Sequence, residues 1–469
     1  MTNSPKVRHS WSGLEVEWAP AFEWVEATTA GRIRSWRRQA RWRPAFFFDV
    51  EFPDGEVKAL YLRCQRGESL PWTRTLSVER EYRIMRVLQD EGVLVPHVYG
   101  FCPAPEGILM DAVVGRDRFD DRDAQSVRDS VLEHYIDALA KAHTIPPEKF
   151  TTIGLRRPED AEEIGLMGFQ VSEKWYRSVK PGPDPVNEFI ASWIHRNVPV
   201  GRNQVRWIHF DAGQFLHHEG AVTALMDVEF SCLGDPLADL GAMRMRDTAQ
   251  PIGDLLHAYR HYQKITGEPV DRHVVNFHAV RFALLTALLS AGARADPEPG
   301  FDLAQWESWS VMSQIVCLEI IAEEAGVELL DDPTPLARAA SRRRPWLLST
   351  ERVLTDVLTE LPEDDHLAFR LRIARDMALA GSNADPLATD AEQRDLDDVT
   401  ELLGRRPRDW QEADRLLEEF ILQAGSDREA ELVRALYRRL RRQQALLDPA
   451  MRDVRGFVVQ RVDWAQLDQ

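Results

Sequence analysis

The N-terminal part of the chain shows the short apolar runs and tight turns that are typical of β-structure. The runs RPAFFFDVEF and VKALYLRC flank the turn PDGE, and an Asp-Gly pair between two such runs predicts a β-hairpin. The next stretch, SVEREYRIMRVLQDEGV, has helical spacing, with Ser77 as N-cap and Gly92 beyond its end. VPHVYGFC and GILMDAVVG read as two further strands. We therefore expect the order β-β-α-β-β, complete by about Val114.

From Ala124 onward the apolar spacing is that of amphipathic helices, interrupted once by the stretch Trp207–Phe230. That stretch holds two strand-like pieces, RWIHF and AVTALMDVEF, which predict a second, smaller β-region. The segment ASRRRP resembles a linker, and almost everything beyond it has helical spacing. These changes predict three domains: residues 1–113, 114–340 and 346–469.

The composition indicates a soluble globular protein with an acidic balance. The chain has 469 residues, 44% hydrophobic and 29% charged, and a formal net charge of −18, which argues against a general nucleic-acid or membrane-surface binder. The sequence favours a cytoplasmic location for three reasons. Its four cysteines are scattered, its N-terminus lacks an apolar signal core, and its apolar runs are too short to span a bilayer. The charge is uneven, however, because Gly31–Pro44 carries six arginines and no acid.

Two acids stand in the otherwise apolar second β-region. Asp211 ends the first strand-like piece, and Asp227 lies in the second. If the pieces form a hairpin, the two carboxylates lie near each other at one rim and repel unless a cation lies between them. Mg²⁺ takes hard oxygen ligands and bridges to phosphates, and Gln214 offers a further oxygen. The chain thus carries, in order, a candidate base, a side-chain amide and a candidate metal-binding acid. This order predicts phosphoryl transfer.

This stretch resembles the catalytic and metal segments of the aminoglycoside phosphotransferase and choline kinase-like family, which are distant relatives of protein kinases. The resemblance places the catalytic base at Asp211 in HFD, and the metal ligands at Gln214 and Asp227. The segment GDPLADL, Gly234–Leu240, is the most specific match, and its Asp235 and Asp239 would brace the catalytic loop and start the next helix. Departures include Phe210 where the family has Gly, and Gln214 where it has Asn.

The N-terminal half resembles the family's small lobe. The resemblance implies that Arg63, in place of the usual Lys, binds the ATP phosphates and is oriented by Glu81. It also implies that the segment from Met110 to Val113 holds the adenine. No Gly-rich phosphate loop is present, so we predict that Arg41 and Arg43 supply part of the phosphate contact. The resemblance covers residues from roughly 30 to 330.

The resemblance implies an α+β fold of the protein kinase-like type. It would have a β-rich small lobe and a helical large lobe, here followed by an all-α C-terminal appendage. The implied reaction transfers the γ-phosphoryl group of ATP, with Mg²⁺, to a hydroxyl of a small molecule, either a hydroxyacyl-type or an aminoglycoside-like acceptor. One alternative is a catalytically weak pseudokinase that binds nucleotide and acts as a scaffold through its helical tail. A nucleic-acid role for the basic helix RALYRRLRRQ is a weaker alternative, and the tail could also form a homodimer.

Overall fold

The computed structural model describes residues 11, 13–39, 43–65, 76–120, 122–362 and 365–467. The chain forms a β-rich small lobe, a helical large lobe and a C-terminal group of helices. The predicted α+β architecture with two lobes is therefore confirmed.

The small lobe is built on one antiparallel sheet of five strands in the order β1-β2-β3-β5-β4. Its helices and strands, in chain order, are α1 (Ala19–Thr29), β1 (Arg32–Arg38), β2 (Ala45–Glu51), β3 (Val57–Cys64), α2 (Val78–Asp90), β4 (Val98–Pro103) and β5 (Glu106–Asp111). The predicted β-β-α-β-β order is present as β2 to β5 with α2. The additional α1 and β1 precede it, and β1 is formed by part of the arginine-rich run.

Aromatic side chains hold α1 against the sheet. Phe22 on α1 makes edge-to-face contacts with Phe46 and Phe48 of β2, with ring centroids 5.4 and 4.8 Å apart. Because side chains alternate along a strand, these two phenylalanines share one face of β2, and both are buried. At the other end of β2, Gly55 has a φ of 89° in the turn to β3, which explains the Asp-Gly signal.

The large lobe consists of helices around two short β-pairs. Its helices and strands, in chain order, are α3 (Gln125–His143), α4 (Pro147–Thr151), α5 (Ala161–Leu166), α6 (Phe169–Val179), α7 (Pro185–Arg196), β6 (Arg206–Ile208), β7 (Phe215–His218), β8 (Ala221–Leu225), β9 (Cys232–Gly234), α8 (Leu237–Ala249), α9 (Leu255–Thr266), α10 (Arg272–Ala295) and α11 (Leu303–Ala325). The predicted hairpin between RWIHF and AVTALMDVEF is wrong, because β6, from the first piece, pairs with β9. β8, from the second piece, instead forms a hairpin with β7, which lies between the two predicted pieces.

The centre of the large lobe is α10. It is the one helix among the described residues that is long and apolar enough to cross a membrane, but 89% of its apolar window is buried inside the protein. It packs against α8 and α11. At Gly241 on α8, an added Cβ would lie 2.6 Å from the carbonyl oxygen of Val275, so a glycine is needed for α8 and α10 to approach this closely.

Within the described residues, the appendage contains five α-helices: α12 (Arg344–Thr359), α13 (His366–Ala384), α14 (Ala388–Leu403), α15 (Trp410–Gln423) and α16 (Glu429–Leu447). α12 begins within the predicted linker. α16 packs on α11 and α15 packs on α7, so the appendage shares one hydrophobic core with the large lobe. The predicted three-domain division stays a prediction.

The basic helix of the sequence lies in α16, and its arginines are paired with acids of the same chain. Arg442 is buried and contacts Asp332, Asp395 and Asp398. Arg438 also contacts Asp398, and neighbouring arginines of α16 have acidic partners of their own. Much of the basic face of α16 is therefore in contact with carboxylates of the same chain.

Candidate functional site

A cleft of about 500 Å³ lies between the sheet of the small lobe and the β7–β8 hairpin of the large lobe. Its walls carry both charged and apolar side chains. The lining residues include Arg37, Arg63, Glu81, Met110, Val113 and Asp227. Four of the five predicted nucleotide contacts in the described region therefore face one cavity.

Arg63 contacts both lobes at the wall of the cleft. It lies on β3, and its Nε donates to Oε2 of Glu81 on α2 at 3.0 Å. Its Nη2 donates to the carboxylate of Asp227, which follows β8 in the large lobe. The predicted Arg63–Glu81 pair is therefore formed, and it is also connected to the predicted metal-binding acid.

The predicted adenine-binding segment forms another part of the wall. Met110 is paired with Tyr61 across the β3–β5 ladder, and the chain then leaves the sheet through Val113. The backbone N–H of Ala112 donates to the carbonyl of Ala59 at 2.9 Å, which fixes this exit segment to β3. Its location suits a base-binding hinge, and that role stays a prediction.

The loop after β6 carries Asp211 and is held from beneath by α8. Asp239 accepts hydrogen bonds from the backbone N–H groups of His209 and Phe210, at 2.9 and 2.8 Å. Nε2 of His143 lies 2.9 Å from the same carboxylate. Asp235 accepts from the N–H of Leu237 at 3.0 Å, at the start of α8. The predicted bracing of the catalytic loop is thus visible in the contacts of Asp239, whereas Asp235 contacts the start of the helix.

Phe210 occupies a left-handed backbone conformation, with a φ of 68°. Glycine adopts this conformation without cost, which accounts for the Gly that the resembled family has here. The Phe210 ring is buried, packs edge-to-face on Phe282 at 5.9 Å, and lies 4.8 Å from the guanidinium of Arg281. Packing of this ring offsets the backbone strain.

Asp211 is buried, and both of its carboxylate oxygens are engaged. Arg246 of α8 donates from Nε to one oxygen and from Nη2 to the other. Gln214 donates from Nε2 to Oδ2 at 2.6 Å. Burial raises the pKa of Asp211 above its ordinary value, while the Arg246 guanidinium acts in the opposite direction. A carboxylate with a raised pKa accepts a proton more readily, as a general base must.

Gln214 and Asp227 are brought close through their backbones. The N–H of Met226 donates to the carbonyl oxygen of Gln214 at 3.1 Å, and Asp227 follows directly. The side chain of Asp227 is 23% exposed on the cleft wall, and its charge contributes to the raised pKa of Asp211. Among the described residues, no group of three or more His, Cys, Asp or Glu side chains could hold a metal ion.

The donor set nevertheless fits Mg²⁺. This ion is held by one or two carboxylates together with substrate phosphates and water. Asp227 offers a partly exposed carboxylate. Gln214, whose backbone carbonyl accepts from the residue before Asp227, carries a side-chain amide oxygen. In the structure, guanidinium groups neutralise the two acids separately: Arg63 pairs with Asp227 and Arg246 with Asp211.

The arginine-rich run corrects one expectation. Arg43 is 1% exposed and lies between Glu229, to which it donates from Nη2, and Glu81, at 3.7 Å. It braces the two lobes and does not line the cleft, so the predicted phosphate contact by Arg43 is not supported. Arg41 lies outside the described residues, and its predicted role stays a prediction.

Two arginines that the sequence reasoning did not select belong to the site. Arg37 of β1 lines the cleft and stacks over Phe47 at 3.8 Å. Arg246 follows Asp239 by seven residues, which places both on the same face of α8. That spacing was the signal that could have identified Arg246.

One family of known proteins matches the part of the chain that holds these residues. The family model described as the phosphotransferase enzyme family matches residues 60–307, which include Arg63, Asp211 and Asp227. The match spans more than half of the chain and ends before the appendage begins.

Two curated relatives are similar over parts of the chain. Acyl-CoA dehydrogenase family member 11 of Rattus norvegicus is 24% identical over 259 residues, covering 52% of this chain and 32% of that protein. Acyl-CoA dehydrogenase family member 10 of Mus musculus is 26% identical over 176 residues, covering 35% and 16%. The chain spans about a third or less of the length of the curated relatives it matches.

Solved structures of phosphotransferases are also similar. A macrolide 2'-phosphotransferase from Brachybacterium faecium has a TM-score of 0.45 and 15% identity, covering 62% of this chain and 97% of that one. A thermostable mutant of aminoglycoside phosphotransferase APH(4)-Ia, in a ternary complex with AMP-PNP and hygromycin B, has a TM-score of 0.49 and 12% identity, covering 66% and 100%.

Proposed function

Because the chain belongs to the phosphotransferase enzyme family, we propose that it transfers the γ-phosphoryl group of ATP to a hydroxyl group of a small molecule. The observation that carries this proposal is the contact set of Arg63. The guanidinium of Arg63 contacts Glu81 within the small lobe and Asp227 across the cleft. The cation that would bind the phosphates is therefore held beside the acid that would bind the metal.

ATP would lie with its base against the segment Met110–Val113 and its phosphates toward Arg63. A guanidinium keeps its charge and forms paired hydrogen bonds with phosphate oxygens, so Arg63 can replace a lysine here. Arg37, whose guanidinium lies over Phe47 in the same cleft, could add a second cationic contact.

Asp227 and Gln214 would hold Mg²⁺. When bound, this ion bridges phosphate oxygens and neutralises the charge that develops on them. Arg63 would then exchange part of its contact with Asp227 for contacts with the phosphates.

Asp211 would orient the acceptor hydroxyl and accept its proton. The contacts of Asp239 with the loop backbone fix the position of Asp211, and Arg246 fixes the orientation of its carboxylate. One oxygen of Asp211 must exchange a protein donor for the acceptor hydroxyl before the proton moves. The Oδ2 contact with Gln214 is the better candidate, because binding of Mg²⁺ would also recruit the Gln214 side chain.

A nucleotide-binding scaffold without turnover is the second candidate function. The engagement of both Asp211 oxygens and the left-handed Phe210 are the observations that favour it. In that case Arg246 would occupy the place of the acceptor hydroxyl permanently.

An acceptor screen that measures ADP release from Mg-ATP separates the two candidates. The panel should contain hydroxyacyl thioesters, because the curated relatives are named as acyl-CoA dehydrogenase family members, and aminoglycosides as cationic acceptors. Acceptor-dependent ADP release by the wild type, lost in Asp211→Asn, is the expected result. Tight Mg-ATP binding without turnover on any acceptor would favour the scaffold instead.

A further inference from the structure

The first helix of the appendage, α12, leaves a large apolar surface in solvent. None of its sixteen residues is buried. Its leucines Leu347, Leu354 and Leu358 are half-buried on the side that packs against α13. Trp346, Val353 and Val357, in contrast, are 69%, 60% and 38% exposed.

These exposed residues form one continuous stripe. Trp346, Val353 and Val357 are seven and four residues apart, so they lie on the same face of the helix, with Thr350 between them. The stripe lies beside the face of α12 that packs on α13. The apolar side of α12 is therefore wider than the part that α13 covers. Exposed apolar stripes of this kind mark interaction surfaces.

The two ends of α12 carry opposite charges. Arg342, Arg343 and Arg344 stand at its beginning, and Asp356 and Glu360 stand at its end. Arg343 remains 74% exposed, although Asp385 lies 3.5 Å from its Nη2. An antiparallel copy of the same helix would therefore present an acidic end to each basic end.

We propose that two copies of this chain associate through α12, which pairs antiparallel with α12 of the partner around a two-fold axis. With the axis between Glu351 and Arg352, each Trp346 stands opposite Val357 of the other copy, and each Thr350 opposite Val353. The same register places Arg343 opposite Glu360. One alignment thus matches both the apolar stripe and the charges, as a two-fold symmetric interface requires.

A second copy fits this surface because the stripe is complementary to itself. Tryptophan and arginine, which both occur here, are the residues that most often dominate the energetics of protein interfaces. The surface also lies outside the residues that match the phosphotransferase family, and none of the α12 residues lines the nucleotide cleft.

The test is the mass of the full-length protein by sedimentation velocity over a range of concentrations. The wild type should approach twice its 53.7 kDa chain mass as its concentration increases. Val353→Glu should weaken the association by at least about 30-fold, because it places two unpaired carboxylates near the axis. Val200→Glu is the matched control, since Val200 is 92% exposed in the large lobe and should leave the association unchanged.

A charge exchange tests the register. Arg343→Glu should weaken the dimer, and the double variant Arg343→Glu with Glu360→Arg should restore it, because each new pair forms across the axis. Circular dichroism should show equal helix content in all variants. A wild type that stays monomeric at every concentration would overturn the proposal, and so would a dimer that Val353→Glu leaves intact. Failure of the double variant to recover would overturn the antiparallel register.

Discussion

The nucleotide cleft and the appendage both contain clusters of arginines and carboxylates, yet the two clusters have different surroundings. In the cleft, Arg63 pairs with Asp227 on the wall of a cavity of about 500 Å³, and Arg246 pairs with Asp211 in the loop after β6. In the appendage, Arg442 pairs with three aspartates, and the nearby cavity lined by residues of α14, α15 and α16 measures about 10 Å³. Arg63 and Asp227 are open to a ligand, whereas Arg442 lies among protein carboxylates. The neighbouring Arg439–Asp414 pair borders a separate cavity of about 490 Å³ beside α7.

This difference indicates that the role of an ion-pair cluster depends on whether a ligand can reach it. Buried arginine–carboxylate pairs contribute little net stability when they form, but removing one partner costs several kcal/mol. In the appendage, the pairs fix how helices meet. In the cleft, each pair can exchange one partner for a phosphate, a metal ion or an acceptor hydroxyl, so the same contacts can serve catalysis.

Asp211→Asn should have the largest effect, and it should affect turnover. Removing a general base lowers the rate of the chemical step by about 10²- to 10⁴-fold. ADP release with a productive acceptor measures this loss, and the affinity for Mg-ATP should change little. Asp397→Asn, at a carboxylate that is 57% exposed in the appendage, is the matched control. Undiminished turnover in Asp211→Asn would remove Asp211 from the reaction.

Arg442→Met should affect stability and leave nucleotide binding intact. The substitution leaves Asp332, Asp395 and Asp398 without their shared partner, which should lower the free energy of unfolding by about 3–5 kcal/mol. Urea unfolding followed by circular dichroism measures the change. A comparable loss of Mg-ATP affinity in this variant would contradict the separation of the two clusters.

Asp235, at the start of α8, offers a pH-dependent test. Although burial raises its pKa, His278 and the two hydrogen bonds from Arg202 hold the pKa of Asp235 well below its ordinary value. A depressed carboxyl pKa stabilises the fold above the unfolded-state pKa, and this contribution decreases as the pH falls through and below about 4. Asp235→Asn should therefore cost about 1.5–3 kcal/mol at pH 7 and less at pH 3.5, by urea unfolding. An equal cost at both pH values would contradict this account.

Arg406→Met should have the smallest effect. The side chain of Arg406 is 46% exposed, and its ion pair with Asp397, at 2.6 Å, lies at the surface of the appendage. Exposed ion pairs contribute about 0.2–1 kcal/mol, so the free energy of unfolding should change by no more than that. A loss as large as that in Arg442→Met would mean that burial does not distinguish these pairs.

Local sequence patterns were sufficient to predict much of the small lobe. Ser77 caps α2 as expected, since its side chain accepts from the N–H of Arg80 at 3.2 Å. The β2–β3 hairpin was also predicted, because it depends on turn chemistry. The Arg63–Glu81 pair was implied by the family resemblance, and the structure shows it formed.

Long-range contacts account for what the sequence could not predict. Arg43 pairs with Glu229, 186 residues away, and no local pattern distinguishes such an arginine from a phosphate-binding one. Arg246 lies 35 residues from Asp211 and reaches it only because Asp239 holds the catalytic loop on the same face of α8. The strand β1 carries four arginines, so its apolar spacing is too weak to identify it as a strand.

The most direct test of the central claim is a calorimetric titration of Mg-ATP into the wild type, Arg63→Ala and Arg438→Ala. If the cleft is the ligand site and the appendage cluster is structural, the wild type should bind one Mg-ATP. Arg63→Ala should then bind at least about 10-fold more weakly, because it loses charge-assisted hydrogen bonds to the phosphates. Arg438→Ala, which loses a comparable pair with Asp398 in the appendage, should bind like the wild type. Equal affinity for Mg-ATP in the wild type and Arg63→Ala, or no binding to the wild type, would contradict the account.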